Sequence, residues 1–179
     1  MASKLSFEEL LQKIQENKQQ IIDLSCDEDL SVALMNLISI EEHFFFTGAK
    51  TGKEKYFELL NSVRAIRKEL LAKIVKDPEG EIWCISKHLL ASSMRLIEVG
   101  TKVQAQDKKE EARDVFMKAY ELYSLFWGLN LNLVDADTAA VLSENQQESA
   151  VMTKNSPAQK SMLQKLGDLV KKVVDCCIE

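Results

Sequence analysis

The stretch 82-IWCISKHLLASSMRLIEVGTKV-103 carries the pattern that decides the fold. Ile82, Leu89, Leu96 and Val103 recur every seven residues, with Ile85 and Val99 beside them. A seven-residue apolar repeat belongs to a helix with one buried stripe; a strand would alternate with a period of two. Ser86, Ser93 and Gly100 form a second seven-residue row on the same face. How near two helices approach depends on the side chains at their contact, so a row this small invites a close neighbour. The stretch reads as one long helix packed tightly against another.

Helix starts mark out the rest of the chain. In a capping box, Ser or Thr stands three residues before Glu or Gln, and each side chain satisfies the other residue's free N–H. Ser6…Glu9, Ser25…Glu28, Thr51…Glu54 and Ser156…Gln159 fit, and Asp107…Glu110 is a looser form. Pro157 and Pro78 stand at first helical positions, where the missing N–H costs nothing. These signals predict helices over 7–24, 27–47, 52–76, 79–105, 108–131 and 157–177. Short connections make consecutive helices antiparallel. The predicted fold is all-α: an antiparallel bundle of about five helices over 1–133, a polar linker over 134–155, and a C-terminal amphipathic helix over 156–179. In that last helix Leu163, Leu166, Val170, Val173 and Cys177 alternate three and four apart, an interaction seam among lysines.

The segment Leu96 to Ser124 resembles one tetratricopeptide repeat. Leu96, Val99, Gly100, Val103, Ala112, Phe116 and Ala119 fit that family's apolar-pair, Gly, Ala, Phe, Ala pattern, and 106-QDKKEEARDVFMKAYELY-123 is similar to its second helix. The pattern does not recur one repeat length to either side. The resemblance implies a single closely packed helical hairpin rather than an array.

Composition narrows the functional classes. The net charge of −5, with acids and bases interspersed, argues against a dedicated nucleic-acid surface. No apolar run approaches the ~20 residues of a membrane span, and no membrane partner is expected. Cys26, Cys84, Cys176 and Cys177 show no CxxC pairing or disulfide density, which fits reduced thiols and a cytoplasmic protein.

The stretch 38-ISIEEHFFF-46 invites a catalytic reading. At 100° per residue, Glu41 falls about 20° from the apolar direction set by Leu30, Leu34, Leu37, Phe44 and Phe45, while Glu42 and His43 point elsewhere. Three residues aimed three ways cannot chelate one ion. The Glu-x-x-His pair of di-iron bundles is absent, since Ile40 and Ile85 stand three before the two histidines. Cys84 and His88 share a helix face four residues apart, but no second ligand pair stands at metal spacing, so no metal or other cofactor is expected.

A carboxylate in an apolar stripe needs a cation. Arg67 is the mirror puzzle, lying about 20° from Tyr56 on the apolar face of its own helix. Counted from a turn at 48–51, Glu41 and Arg67 differ in level by ~13 Å. That count favours a Glu41–Arg95 pair, with Arg67 level with His88. Glu41, Arg67, His88, Arg95, Tyr120 and Tyr123 thus form the candidate buried polar cluster, either structural or the lining of a pocket; no catalytic residue is assigned. The expected function is a non-enzymatic helical interaction or scaffold protein. Its C-terminal helix would dock on its own bundle, on a protein partner or on a second copy as a homodimer. The alternative is a small-ligand-binding or metal-dependent enzyme with a polar pocket inside the bundle.

Overall fold

The computed structural model describes residues 24–76, 80–134 and 162–173, which form five helices and, among the described residues, no strand. They are α1 (Ser25–Thr51), α2 (Lys55–Ile74), α3 (Glu81–Gln104), α4 (Lys109–Asn130) and α5 (Met162–Val173). The all-α bundle with a further C-terminal amphipathic helix is the observed architecture. The helix expected over 7–24, the Asp77-Pro78 start and the capping box at Ser156 lie outside the described residues, as does nearly all of the linker.

Two antiparallel hairpins, α1–α2 and α3–α4, make the largest contacts. The small-residue row of α3 is the seam of the second hairpin. Ser86, Ser93 and Gly100 are all buried. Ser93 donates 2.8 Å to the Ala119 carbonyl on α4, and Asn130 of α4 donates 3.0 Å to the Ser86 hydroxyl. At Gly100 the approach is closest, and a Cβ built there would sit 2.6 Å from the Phe116 ring. The residues that carried the tetratricopeptide resemblance are thus a close hairpin contact, with Ala112 and Ala119 also buried.

The first hairpin turns four residues later than the capping signals predict. Thr51 does not cap α2; its hydroxyl donates 2.7 Å back to the Thr47 carbonyl, so it closes the last turn of α1. Gly52 stops the helix in the left-handed region at φ 64°, where its N–H reaches the Gly48 carbonyl. A glycine enters that region without the Cβ penalty, and this signal outweighs a Thr–Glu pair that tolerates a helical backbone equally well. At the other end of α1 the N-cap is Leu24, and no side chain caps it.

The hairpins meet through α1 and α3, and α5 lies on α4. One core runs through them all, from Leu34, Met35 and Leu71 to Leu89, Leu90, Phe126, Trp127 and Leu129. Phe126 and Trp127 pack edge to face with centroids 5.2 Å apart, a favoured aromatic geometry. The Ser31 and Tyr123 hydroxyls share a 2.8 Å hydrogen bond that ties α1 to α4. α2 and α3 are consecutive yet hardly touch; a cavity lined by α1, α2 and α3 separates them.

Gly100→Ala should lower stability by about 1 kcal/mol. The gain of up to about 1 kcal/mol in helix propensity is outweighed by an overpacking cost of about 1–3 kcal/mol against Phe116. Chemical denaturation should show the loss, and Phe116→Leu in the same chain should recover most of it.

Candidate functional site

Glu41 is buried on α1, as its place in the apolar stripe requires. Its partners are on α2. Arg67 Nε donates 2.8 Å to Oε1 and its Nη2 a longer 3.4 Å to Oε2, while Arg64 Nε donates 2.9 Å to Oε2. The expected Glu41–Arg95 pair is therefore corrected. With α1 ending at Thr51 and α2 beginning at Lys55, Glu41 lies ten residues from its end of the turn and Arg67 twelve from its own. Two residues of helix are about 3 Å, within reach of a guanidinium. The predicted turn ended the first helix four residues too early and began the second three too early, and the two displacements add to seven residues, about 10 Å of the mismatch in level.

The three charges are unequal in surroundings. The Arg67 side chain is 5% exposed and the Arg64 side chain 46%. Burial pushes the Glu41 carboxyl up. The hydrogen bonds from Arg67 and Arg64, with their charges, outweigh burial and hold it below its ordinary value of 4.5. Arg95 binds elsewhere: it bridges Glu42 and Glu98 in a half-exposed cluster between α1 and α3.

The predicted cluster therefore divides. Glu41, Arg67 and His88 line one groove between α1, α2 and α3, a cavity of about 480 Å³. Arg95 lines a second cavity of about 330 Å³ between α1 and α3, with Glu42 and His43. Tyr120 and Tyr123 belong to neither; Tyr123 bonds Ser31, and the Tyr120 hydroxyl donates 3.2 Å to the Gly167 carbonyl of α5. Cys84 and His88 share the first groove, and among the described residues no three Cys, His, Asp or Glu side chains gather at metal-binding distance.

The seam of α5 is seated on this chain's own bundle. Leu163, Leu166 and Val170 are buried, and a Cβ built at Gly128 of α4 would lie 3.0 Å from a Leu166 methyl. A Cβ built at Gly167 of α5 would lie 3.2 Å from the Tyr120 ring. Val173 falls at the end of α5, and Cys177 lies outside the described residues.

The groove includes side chains that sequence reasoning missed. Arg64 precedes Arg67 by one turn, a spacing that alone could have flagged two cations for one acid. Lys68 on α2, and Trp83 and Lys87 on α3, also line it. Glu28 is a buried acid in the first turn of α1; its Oε1 and the Trp127 indole nitrogen have no hydrogen-bond partner among the described residues. Comparison of the chain with models of protein families, with curated proteins and with solved structures finds no match.

Glu41→Ala should cost about 3 kcal/mol or more, because it strands the buried Arg67 cation. Arg64→Ala should cost less than about 1 kcal/mol, since that pair is half in water. Equal losses in urea denaturation would contradict this division.

The pH dependence has a definite sign. A depressed native carboxyl binds fewer protons than the unfolded one, so its contribution is complete above 4.5 and is lost as pH falls through the native value. The stability gap between wild type and Glu41→Gln should therefore be largest near neutrality and shrink below 4.5.

Proposed function

We infer that this chain is a non-enzymatic helical interaction protein, in which α5 docks on the bundle's own α4 and a partner helix competes for that seat. The observation that carries the reading is the burial of Leu163, Leu166 and Val170 of α5 against α4. A helix of this length is marginal alone in water, so its order depends on what its apolar face meets. A face held by a few aliphatic contacts can be exchanged for another of the same pattern. Exchange with a second copy of the chain would make a homodimer, because a tethered element swaps at low cost. The proposed compartment is the cytoplasm, where cysteines without disulfide spacing remain thiols.

A second reading, a ligand-binding bundle, is favoured by one specific observation. The α1–α2–α3 groove reaches about 480 Å³, with Arg67 and His88 on its wall. That volume lies within the usual range for ligand sites, about 300–1,000 Å³.

Leu166→Asp with Val170→Asp should release α5 while the two hairpins stay folded. The expected result is a rise in hydrophobic-dye binding with an unchanged hydrodynamic mass. A fall from dimer to monomer would point to exchange between chains. Unaltered dye binding and mass would remove the support for an interaction seat.

A further inference from the structure

The groove between α2 and α3 is patterned in a way that its structural role does not require. Leu60 on α2 and Trp83 on α3 give it apolar walls, and Phe45 of α1 adds an aromatic ring that stays 49% exposed. Cations stand one turn from these or from each other: Arg64 and Lys68 on α2, Lys87 on α3. The lining holds four cationic side chains, counting Arg67, against the two carboxylates Glu41 and Glu42. Glu41 is engaged by both arginines, and Glu42 by Arg95, which lies outside this lining. Lys68 and Lys87 are left with no ion-pair or hydrogen-bond partner among the described residues. On a chain of net charge −5 this is a local reversal of sign.

We propose that this groove binds an acidic amphipathic helical segment of a partner protein. Apolar side chains spaced three and four apart enter between Leu60, Trp83 and Phe45, and the carboxylates beside them meet Lys68 and Lys87. A segment suits the site better than a small molecule does, because ligand pockets enclose most of a small ligand, whereas this groove is open along two helices. Laying an apolar helix face into a groove between helices is a general recognition mode, and charge complementarity at its edges selects partner and orientation. The inference rests on the groove reading above, with a protein segment in place of a small molecule as the ligand, and is independent of the α5 seat, so α5 release leaves it untouched.

The test uses the full chain and a fluorescein-labelled synthetic peptide of 15 residues, with leucines spaced three and four apart and glutamates flanking them. The same peptide with lysine for glutamate is the control. Fluorescence anisotropy should show saturable binding of the glutamate peptide only, weakening as salt is raised. Lys68→Glu with Lys87→Glu should weaken it by about tenfold or more, and Ala91→Trp, which fills the groove, should also reduce it. Both variants should keep the wild-type melting temperature, separating loss of binding from loss of fold. Bound peptide should slow alkylation of Cys84, an exposed thiol in the groove lining, read by mass at that residue. Equal affinity of the charge-reversed variant, equal binding of the lysine peptide, or no saturable binding would overturn the proposal. A Cys84 that already resists alkylation in the peptide-free chain would show the groove filled by the chain itself and would overturn the choice of a partner.

Discussion

A carboxylate on the apolar face of α1 has to be compensated before the first hairpin can settle. Removing a charge from water costs several kcal/mol unless an opposite charge and good hydrogen bonds replace the hydration. Glu41 meets that demand with Arg67 and Arg64, one on each carboxylate oxygen at 2.8 and 2.9 Å. The requirement acts as a register pin. Sliding α2 along α1 by one turn would carry Arg67 about 5 Å away and leave its guanidinium buried without the carboxylate. The αL stop at Gly52 and the Phe57 ring lying over Gly48 hold the same register from the turn.

The second hairpin is held by a different force. Its seam is small and hydrogen-bonded, with Ser93 donating across to α4, Ser86 accepting from Asn130 of α4 and Gly100 admitting Phe116. The close approach lets α4 deliver Phe126, Trp127 and Leu129 to the common core. The two hairpins then share less surface with each other than each has within itself. That inequality leaves α2 and α3 apart and creates the groove. Its chemistry follows from the first constraint: the arginines drawn in by Glu41 become part of its wall, and Lys68 follows on the next residue of the same helix.

α5 completes the far side of the molecule. Its buried leucines, its valine and its glycine meet the face of α4 that carries Tyr120, Ser124 and Gly128. Tyr120 and Tyr123 therefore serve helix-to-helix ties, one to α5 and one to α1, and stand away from the cavity that holds Glu41. The groove is lined by α1, α2 and α3 and the α5 seat lies on α4, so a ligand at one does not compete for side chains used by the other.

The sequence by itself determined the elements and the faces they bury. The seven-residue rows of α3, the three-four seam of α5 and the angular places of Glu41 and Arg67 are properties of single helices, and each follows from 3.6 residues per turn. Ser86, Ser93, Glu41, Arg67 and the seam residues Leu163, Leu166 and Val170 are buried, whereas Val99 beside the α3 row and Phe45 on the α1 stripe stay exposed. Capping boxes were less decisive, because Thr51 satisfies its hydroxyl equally well inside a last helical turn, and the glycine after it set the boundary. Only the tertiary structure decided which helix supplies each partner. Moving the end of α1 by four residues and the start of α2 by three changed the relative level by seven residues, about 10 Å, and so moved Glu41 from Arg95 to Arg67. The separation of α2 from α3, and with it the charged groove, was beyond any single-helix pattern. It arises from a competition among interhelical contacts, which depends on how all the faces fit at once.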